Sequence, residues 1–448
     1  MGGESSLILS TPMASDPDDK LPPQGRLNRL RKLAGLSMHV GSEVLKTGAR
    51  RLSGSSPSEL LSLGTAEKLV ATLGEMKGAA MKLGQALSMD QDLLTPEVRQ
   101  MLARLQNQAP AMSYAQVSRV VKEELGAPPE ELFRDFSREA LAAASLGQVH
   151  RAVLHDGRQV AVKVQYPGID ASMGHDMDNL GMVVKTVSLT SRMMDATAYF
   201  QEFRDELMLE LDYRREAMLA ASFAKSVAKL PDLYVPQVIE DRSARRVLTL
   251  ELLEGQTLKD WVTTSPDNAA RFRVARQLIR ATYGPFLDAG EIHADPHPGN
   301  FMVMPDGRMG LLDFGSIKRF SPGFVESNRR MFHQALRLET LDVLGLCREV
   351  GFSVELPEPE AEALLREVLH IAGRPMRASP YDYGTCDINR DLRNHFTRNA
   401  ARFLRIKPPP EGMMFFRATG GLAQNLRMLG ANGDFRQVFL EVGALVPA

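Results

Sequence analysis

Cysteine is nearly absent from this chain, which has two cysteines among its 448 residues. Cys347 and Cys386 are too few for a disulfide framework or a zinc cluster, and they fit a reducing compartment. An excess of one charge is also missing, because the formal net charge is −1, so nucleic acid is not expected as a partner. The chain lacks the run of about 18 apolar residues that a membrane-spanning helix needs, and its beginning lacks the features of a secretory signal. These absences predict a cytoplasmic protein (in the mitochondrial matrix if eukaryotic), with peripheral attachment to a membrane left open.

The N-terminal part of the chain changes character twice. Residues 1 to about 24 carry Ser, Pro, Asp and Gly without periodicity, which predicts disorder. Residues 25–52 then interleave seven Lys and Arg residues with leucines and valines, against one acid, Glu43. A basic amphipathic stretch of this kind can lie on an anionic membrane surface or pack on the protein with a solvated basic face. Both interpretations stay open, because Gly35, Gly41 and Gly48 weaken a continuous helix.

A helical region follows the Ser- and Gly-rich spacer after this stretch. Its apolar residues recur at steps of three and four, while Lys82 and Gln85 fall nearly opposite the apolar stripe. From periodicity alone these two polar side chains are solvated. Further along, Ser113 and Gln116 predict a capping box at the start of a helix that Gly126 ends.

The pattern that organises the chain lies in residues 291–315. Asp295 and Asn300 are five residues apart, and Asp313 follows a hairpin predicted from Pro305-Asp306-Gly307. A protein-kinase catalytic loop has this spacing: one Asp takes the proton of the acceptor, while the Asn and a second Asp hold magnesium. The spacing therefore predicts phosphoryl-transfer chemistry that uses ATP or ADP and Mg²⁺. Asp295 is the candidate catalytic residue, and Asn300 and Asp313 are the candidate metal ligands.

An alanine-rich loop precedes a strand that carries a candidate ATP-binding lysine. Strand signals begin near Leu141, and on the kinase glycine-loop pattern Ala142 and Ala144 replace two glycines while Gly147 stays in register. Methyl groups at these alanines restrict positive φ, which should alter nucleotide selectivity or phosphate placement. Lys163 matches the lysine that holds the α- and β-phosphates, although an edge-strand lysine is the alternative. The candidate nucleotide-binding residues are Ala142, Ala143, Ala144, Ser145, Leu146, Gly147, Gln148, Ala161, Lys163, Glu251 and Leu253.

A predicted helical insert, residues 169–230, has an acidic centre. If the helix is continuous, Asp212 and Glu216 share one face while Glu210 points largely away. A solvated acidic helix is one interpretation. The other pairs Glu216 with Lys163, as the glutamate of kinase helix C does, so that Lys163 and Glu216 join Asp295 in the candidate catalytic set.

Together these motifs resemble the UbiB family of atypical, protein-kinase-like proteins. The resemblance covers nearly everything from Gly25 onwards, and its specific marks are Lys82-Leu83-Gly84-Gln85, the alanine-rich loop, Glu210-Leu211-Asp212 and the two catalytic loops. It implies that Lys82 and Gln85 are regulatory residues that plug the cleft where a peptide substrate would bind. It also implies that Glu210 and Asp212 are their partners near the nucleotide.

The resemblance further implies an ATPase or phosphotransferase that supports ubiquinone or other prenyl-quinone biosynthesis, or lipid metabolism. The implied partners are a nucleotide, a lipid or quinone precursor, a membrane surface and ubiquinone-biosynthesis proteins. Nothing after Gly315 resembles the Ala-Pro-Glu element of a peptide-binding activation segment, so a platform for protein substrates is not expected.

The expected fold class is α+β: a bilobal protein-kinase-like fold with a mixed N-lobe (antiparallel sheet plus helical insert), a mainly helical C-lobe and an N-terminal helical extension. The expected divisions are the disordered start and basic stretch (1–55), the helical extension (56–135), the kinase-like N-lobe (136–255) and the C-lobe (256–448).

Two other functions fit parts of the sequence. One is a small-molecule phosphotransferase of the aminoglycoside or choline kinase type, whose catalytic loop resembles residues 293–300 closely. The other is a nucleotide-gated lipid-binding scaffold, which the basic amphipathic residues 25–52 suggest.

Overall fold

The computed structural model describes residues 112–144, 146–174, 177–178, 181, 196–334 and 341–443. The predictions for the disordered start, the basic stretch, Lys82, Gln85 and Ser145 lie outside these residues.

The helices are α1 (Tyr114–Leu125), α2 (Pro129–Leu132), α3 (Ala196–Leu209), α4 (Tyr213–Ser226), α5 (Leu258–Thr263), α6 (Asn268–Ala289), α7 (Pro322–Gln334), α8 (Val343–Val350), α9 (Glu358–Ala372), α10 (Arg374–Arg377), α11 (Ile388–Arg398), α12 (Ala400–Phe403), α13 (Gly412–Leu429) and α14 (Phe435–Glu441). The longer strands are β1 (Asp135–Ala144), β2 (Gly147–Val153), β3 (Gln159–Gln165), β5 (Val247–Glu251), β7 (Glu291–His293), β8 (Phe301–Val303), β9 (Met309–Leu311) and β10 (Ile317–Arg319). The two-residue strands are β4 (Leu233–Tyr234), β6 (Gln256–Thr257), β11 (Ser353–Val354), β12 (Tyr381–Asp382), β13 (Ile406–Lys407) and β14 (Asn432–Gly433).

An antiparallel sheet in the order β1-β2-β3-β5 precedes the mainly helical part of the chain. Along β3, Val160, Val162 and Val164 are fully buried, and they pack with residues of α1. Because side chains alternate across a strand, Ala161 and Lys163 project from the opposite face. Helix α1 begins at the predicted capping box and ends at Gly126, which has the left-handed conformation.

Strand β1 begins at Asp135, earlier than the signals near Leu141 indicate. Phe136 is the buried residue of its first half, and the second half is largely exposed, with Leu141 at 49%. The strand therefore lacks the apolar alternation from which a strand is predicted. Its pairing with β2, which is interrupted by two register shifts, holds it in the sheet.

The helical insert is not continuous through its acidic centre, contrary to the expectation for this segment. Helix α3 ends at Leu209, and α4 begins after Asp212. The carboxylate of Asp212 accepts a hydrogen bond from the Arg214 N–H, so Asp212 caps α4 instead of sharing its face with Glu216. The four-residue spacing of these two acids fits a cap as well as it fits a helix face, which is why periodicity alone missed the break.

The helical part of the chain forms the larger core around α6, which joins the buried faces of α13 and α14. The predicted hairpin at Pro305–Gly307 is present as β8 and β9, with Gly307 at φ +86. Strand β7 pairs with β10, so the chain before and after this hairpin is brought side by side. No helix among the described residues is long and apolar enough to cross a membrane. The α+β class is confirmed.

Candidate active site

Strand β3, helix α4 and the turn after β9 bring three charged side chains together. Lys163 Nζ lies 2.9 Å from each carboxylate oxygen of Glu216 and 3.8 Å from Oδ2 of Asp313. Glu216 stands in the first turn of α4 and is only 4% exposed. The ammonium also lies 4.9 Å from the centre of the buried Tyr213 ring, at the distance of a cation–π contact. Thus residues from three distant parts of the sequence meet at one cation.

The charges and the burial of this group shift the pKa values of Lys163 and Glu216. Burial disfavours the ammonium form of Lys163, but the carboxylates of Asp313 and Glu216 outweigh burial and raise the pKa of Lys163 well above its ordinary value. The pKa of Glu216 is also raised, because burial and the repulsion from Asp313 outweigh the attraction of Lys163. Lys163 therefore lies within ion-pair distance of two carboxylates, those of Glu216 and Asp313.

Asp313 has an uncommon backbone conformation. Its φ is +58, a left-handed value that Asp and Asn tolerate better than most residues. Its Oδ1 accepts a hydrogen bond of 3.3 Å from the Gly315 N–H. The intervening Phe314 is fully buried and packs against Phe223 of α4 and His293 of β7. This buried ring anchors the turn, and Asp313 stays partly exposed at its start.

The loop after β7 positions Asp295 and Asn300. Asn300 Nδ2 donates to the Asp295 carbonyl oxygen at 3.2 Å, which links the two ends of the loop. His297 Nδ1 accepts from the Gly299 N–H at 3.1 Å, and His293 Nε2 lies 3.1 Å from the Leu312 carbonyl oxygen. Both histidines therefore support the two candidate catalytic loops through hydrogen-bonding contacts with the backbone.

Helix α13 also reaches this loop, which motif analysis did not anticipate. Arg417 Nη2 lies 3.4 Å from Oδ1 of Asp295, whose exposure is 5%. On the same helix, the buried Asn425 donates to the Pro296 carbonyl oxygen at 2.8 Å. Arg417 follows Asp295 by 122 positions, and no local pattern in the sequence connects them.

The candidate nucleotide residues occupy different environments. Ala142 and Ala143 are exposed at the end of β1, Ala144 is half-buried, and Leu146 and Gly147 are buried. A Cβ at Gly147 would lie 2.0 Å from the Val164 carbonyl oxygen, so only glycine fits this close approach of β2 to β3.

The other members of the nucleotide set are held by scaffold contacts. The buried amide of Gln148 accepts from the Met112 N–H at 2.8 Å, which commits it to the sheet. Glu251 accepts from the Tyr234 hydroxyl at 2.7 Å. Leu253 is buried, and its Cδ1 lies close enough to Gly310 to exclude a Cβ there. Ala161, on the Lys163 face of β3, is half-buried.

The two candidate regulatory acids, Glu210 and Asp212, have distinct contacts. Ser316 donates to Oε1 of Glu210 at 3.1 Å, so Glu210 lies against the turn that follows Asp313. Asp212 caps α4, as described above. Arg215 of α4 donates to the Gly315 carbonyl oxygen at 2.9 Å and strengthens the same contact between the helix and the turn.

The chemistry of the donor set fits magnesium better than a transition metal. Asp313 and Asn300 offer hard oxygen donors, and Mg²⁺ is commonly bound by one or two such groups together with substrate phosphates and water. Within the described residues there is no group of three or more His, Cys, Asp or Glu side chains that could hold a metal alone. The fit is therefore to a nucleotide-bound magnesium ion, with Asp313 supplying charge and Asn300 an amide oxygen.

Comparison with known proteins gives a family match, two similar relatives and one similar solved structure. The ABC1 atypical kinase-like domain matches residues 104–345. "Atypical kinase COQ8B, mitochondrial" of Rattus norvegicus is 32% identical over 400 residues, spanning 87% of this chain and 75% of the relative. "Atypical kinase COQ8, mitochondrial" of Saccharomyces cerevisiae is 27% identical over 434 residues, spanning 94% and 85%. Among solved structures, Rv3197 of Mycobacterium tuberculosis in complex with erythromycin is similar with a TM-score of 0.59 and 26% identity, over 90% of this chain and 97% of that one.

Proposed function

Because the chain belongs to the ABC1 atypical kinase-like family, in agreement with its UbiB motifs, we propose that it binds ATP or ADP with Mg²⁺ and transfers or hydrolyses the terminal phosphoryl group. The chain is thus a kinase-like enzyme. The nucleotide proposal depends on one observation. The ammonium of Lys163 lies within 4 Å of the carboxylates of both Glu216 and Asp313.

Each residue has a distinct role in this proposal. Lys163 holds the α- and β-phosphates, and Glu216 orients it. Asp313 and Asn300 hold the magnesium ion, which neutralises charge on the phosphates when bound. Asp295 orients the attacking water or acceptor hydroxyl, since its carboxylate lies in the loop that Asn300 closes.

The short connection between Gly315 and α7 favours a small acceptor or water over a protein substrate. Six residues, 316–321, connect Gly315 to α7, which begins at Pro322, and three of them (Ile317–Arg319) form the strand paired with β7. A peptide-binding activation segment has no room in so short a connection. This supports an ATPase or small-molecule phosphotransferase.

The biological setting is proposed from the relatives. Those named above are mitochondrial COQ8-type kinases, which supports a role in ubiquinone or related prenyl-quinone biosynthesis, at a membrane surface and with a lipid or quinone precursor as partner. The basic residues 25–52 are the proposed surface contact.

Magnesium-dependent nucleotide binding tests the proposal. In a thermal-shift assay of the full chain, ATP or ADP with Mg²⁺ should raise the unfolding temperature, with a stabilisation of about 2.7 kcal/mol at roughly 100 times Kd. The shift should disappear when EDTA removes the metal. No shift with either nucleotide at millimolar concentration would remove the nucleotide proposal. Turnover measured with anionic liposomes and a soluble quinone-precursor analogue tests the lipid part, and stimulation by neither would contradict it.

We expect Arg417→Met to lower the rate of ATP turnover about 10- to 100-fold with little change in nucleotide affinity. The guanidinium holds Asp295 in place, and a misplacement of about 1 Å can cost about 100-fold in rate. Arg417 is therefore a positioning residue that acts through Asp295. Steady-state kinetics that separate kcat from KM for ATP would measure the effect.

The matched control is Arg427→Met on the same helix. Arg427 forms an ion pair with Asp387 and not with the catalytic loop. Its loss should leave kcat unchanged. Equal losses of kcat in the two variants would mean that α13 contributes only stability.

A further inference from the structure

A buried carboxylate connects helix α4 to strand β7. Glu291 of β7 is 2% exposed. Its Oε1 accepts from the Ser222 hydroxyl at 2.9 Å and from Arg319 Nε at 2.6 Å, and its Oε2 accepts from the Ser226 hydroxyl at 2.7 Å. Arg319 Nη2 also donates to the Ser222 hydroxyl at 2.7 Å. These four residues, Glu291, Arg319, Ser222 and Ser226, are called the α4 clamp below.

The clamp joins the two elements on which the candidate site depends. Helix α4 carries Glu216 in its first turn and the two clamp serines in its second half. Strand β7 carries Glu291 and leads directly into the loop with Asp295. Arg319 faces Glu291 across the β7–β10 pairing, so the cation comes from the strand that follows Asp313.

Apolar packing holds α4 together with directional contacts such as the hydrogen bond from Arg215 to the Gly315 carbonyl oxygen. Phe223 is the buried contact of α4 with Phe314 and His293, and such contacts are non-directional. Beside the clamp lies an open cavity of about 420 Å³, lined by Ser222, Lys225, Ser226, Ala289, Glu291 and Arg319. Hydrogen bonds from two hydroxyls one turn apart to the two oxygens of one carboxylate are directional, and they define the rotation and axial position of the helix.

We propose that the α4 clamp is a positioning device for the Lys163–Glu216 ion pair. It holds α4 at the rotation and axial position at which Glu216 contacts Lys163. Because Glu291 belongs to β7, the clamp fixes this position of α4 relative to the strand that precedes the candidate catalytic loop. The inference rests on the proposed nucleotide function for its effect on activity. Its structural part, the fixing of α4 by Glu291, stands independently of any nucleotide.

Ionisation of Glu291 supports this assignment. Burial alone would raise the pKa of Glu291, but the hydrogen bonds from Ser226, Arg319 and Ser222 and the charge of Arg319 outweigh it and lower the pKa below its ordinary value. The carboxylate is therefore the form that the clamp stabilises, and a neutral amide cannot accept at both of its ends.

The test compares Glu291→Gln and Ser226→Ala with Ser226→Thr, which keeps a hydroxyl donor. Glu362→Gln is the matched control, because Glu362 also accepts from several donors, the N–H groups of Val343 and Leu344 and the guanidinium of Arg366. Amide hydrogen exchange of the full chain without nucleotide should become about tenfold faster in the first turns of α4 in Glu291→Gln and Ser226→Ala, as loss of a charge-assisted hydrogen bond predicts. The Thr variant should restore the wild-type exchange.

Nucleotide affinity then provides the functional readout. Mg-ATP should bind about tenfold more weakly to Glu291→Gln and Ser226→Ala, and normally to Ser226→Thr and Glu362→Gln. Unchanged exchange in α4 of both clamp variants, or an equal increase in Glu362→Gln, would overturn the clamp. If Glu291→Gln does not fold, the Ser226 pair decides. If the wild-type protein binds no nucleotide, the proposed function is refuted. The hydrogen-exchange results would still test the positioning role of the α4 clamp.

Discussion

Asp313→Asn is expected to reduce magnesium-dependent ATP turnover roughly 10³-fold while the protein stays folded, on the scale of losing one preorganised electrostatic group. The substitution removes the only charge of the candidate metal pair, since Asn300 contributes a neutral amide. Asparagine has the shape of aspartate and also tolerates a left-handed backbone, so the φ of +58 is not a reason for unfolding. Turnover measured against magnesium concentration should show both a lower maximum and a weaker dependence on the metal.

The matched control for this variant is Asp306→Asn, in the turn of the β8–β9 hairpin. Asp306 pairs with Arg308 at 2.7 Å, and its side chain is 47% exposed. Exposed ion pairs contribute little to stability, so this variant should keep full turnover. Wild-type turnover in Asp313→Asn, or equal losses in both variants, would refute the metal role of Asp313.

The two candidate catalytic loops could be recognised in the sequence because their pattern is local. The spacing of Asp295, Asn300 and Asp313 lies within one short stretch of sequence, and the turn residues between them predict the hairpin that the structure contains. Lys163 was predicted from a neighbouring loop pattern in the same way. That pattern also led to the family, which the comparisons confirm.

Contacts between distant elements were the part that the sequence did not reveal. Arg417 and Asn425 reach the catalytic loop from a helix outside the matched domain, residues 104–345. Neither residue belongs to a motif, and a buried polar residue on a helix has no periodicity of its own. Glu291 lies within the organising stretch, but its partners, Ser222 and Arg319, are ordinary helix and strand residues in the sequence. The roles of the catalytic, metal-binding, nucleotide-binding and regulatory residues remain predictions.

Lys163→Met should abolish turnover and also destabilise the protein, with a loss of about 3–5 kcal/mol, because it leaves the buried Glu216 without its partner cation. Protonation of Glu216 can reduce this destabilisation, since the pKa of Glu216 is already raised in the folded protein. When the pKa of a carboxyl group is higher in the folded protein than in the unfolded chain, the protein loses stability as the pH rises from the ordinary pKa, 4.5, to the raised pKa. The destabilisation of Lys163→Met should therefore be largest at neutral pH and shrink toward pH 4.5.

A second substitution separates the two consequences of losing the lysine. In Lys163→Met/Glu216→Leu the buried carboxylate is gone, and replacement of a buried ion pair by apolar side chains is often neutral or stabilising by about 1–4 kcal/mol. The double variant should therefore recover most of the stability at pH 7 and lose the extra pH dependence, yet remain inactive. Urea unfolding at pH 7 and pH 5, with turnover measured in parallel, distinguishes these outcomes. Recovery of turnover together with stability would show that Lys163 acts through folding alone, whereas stable but inactive protein is the result that phosphate binding by Lys163 requires.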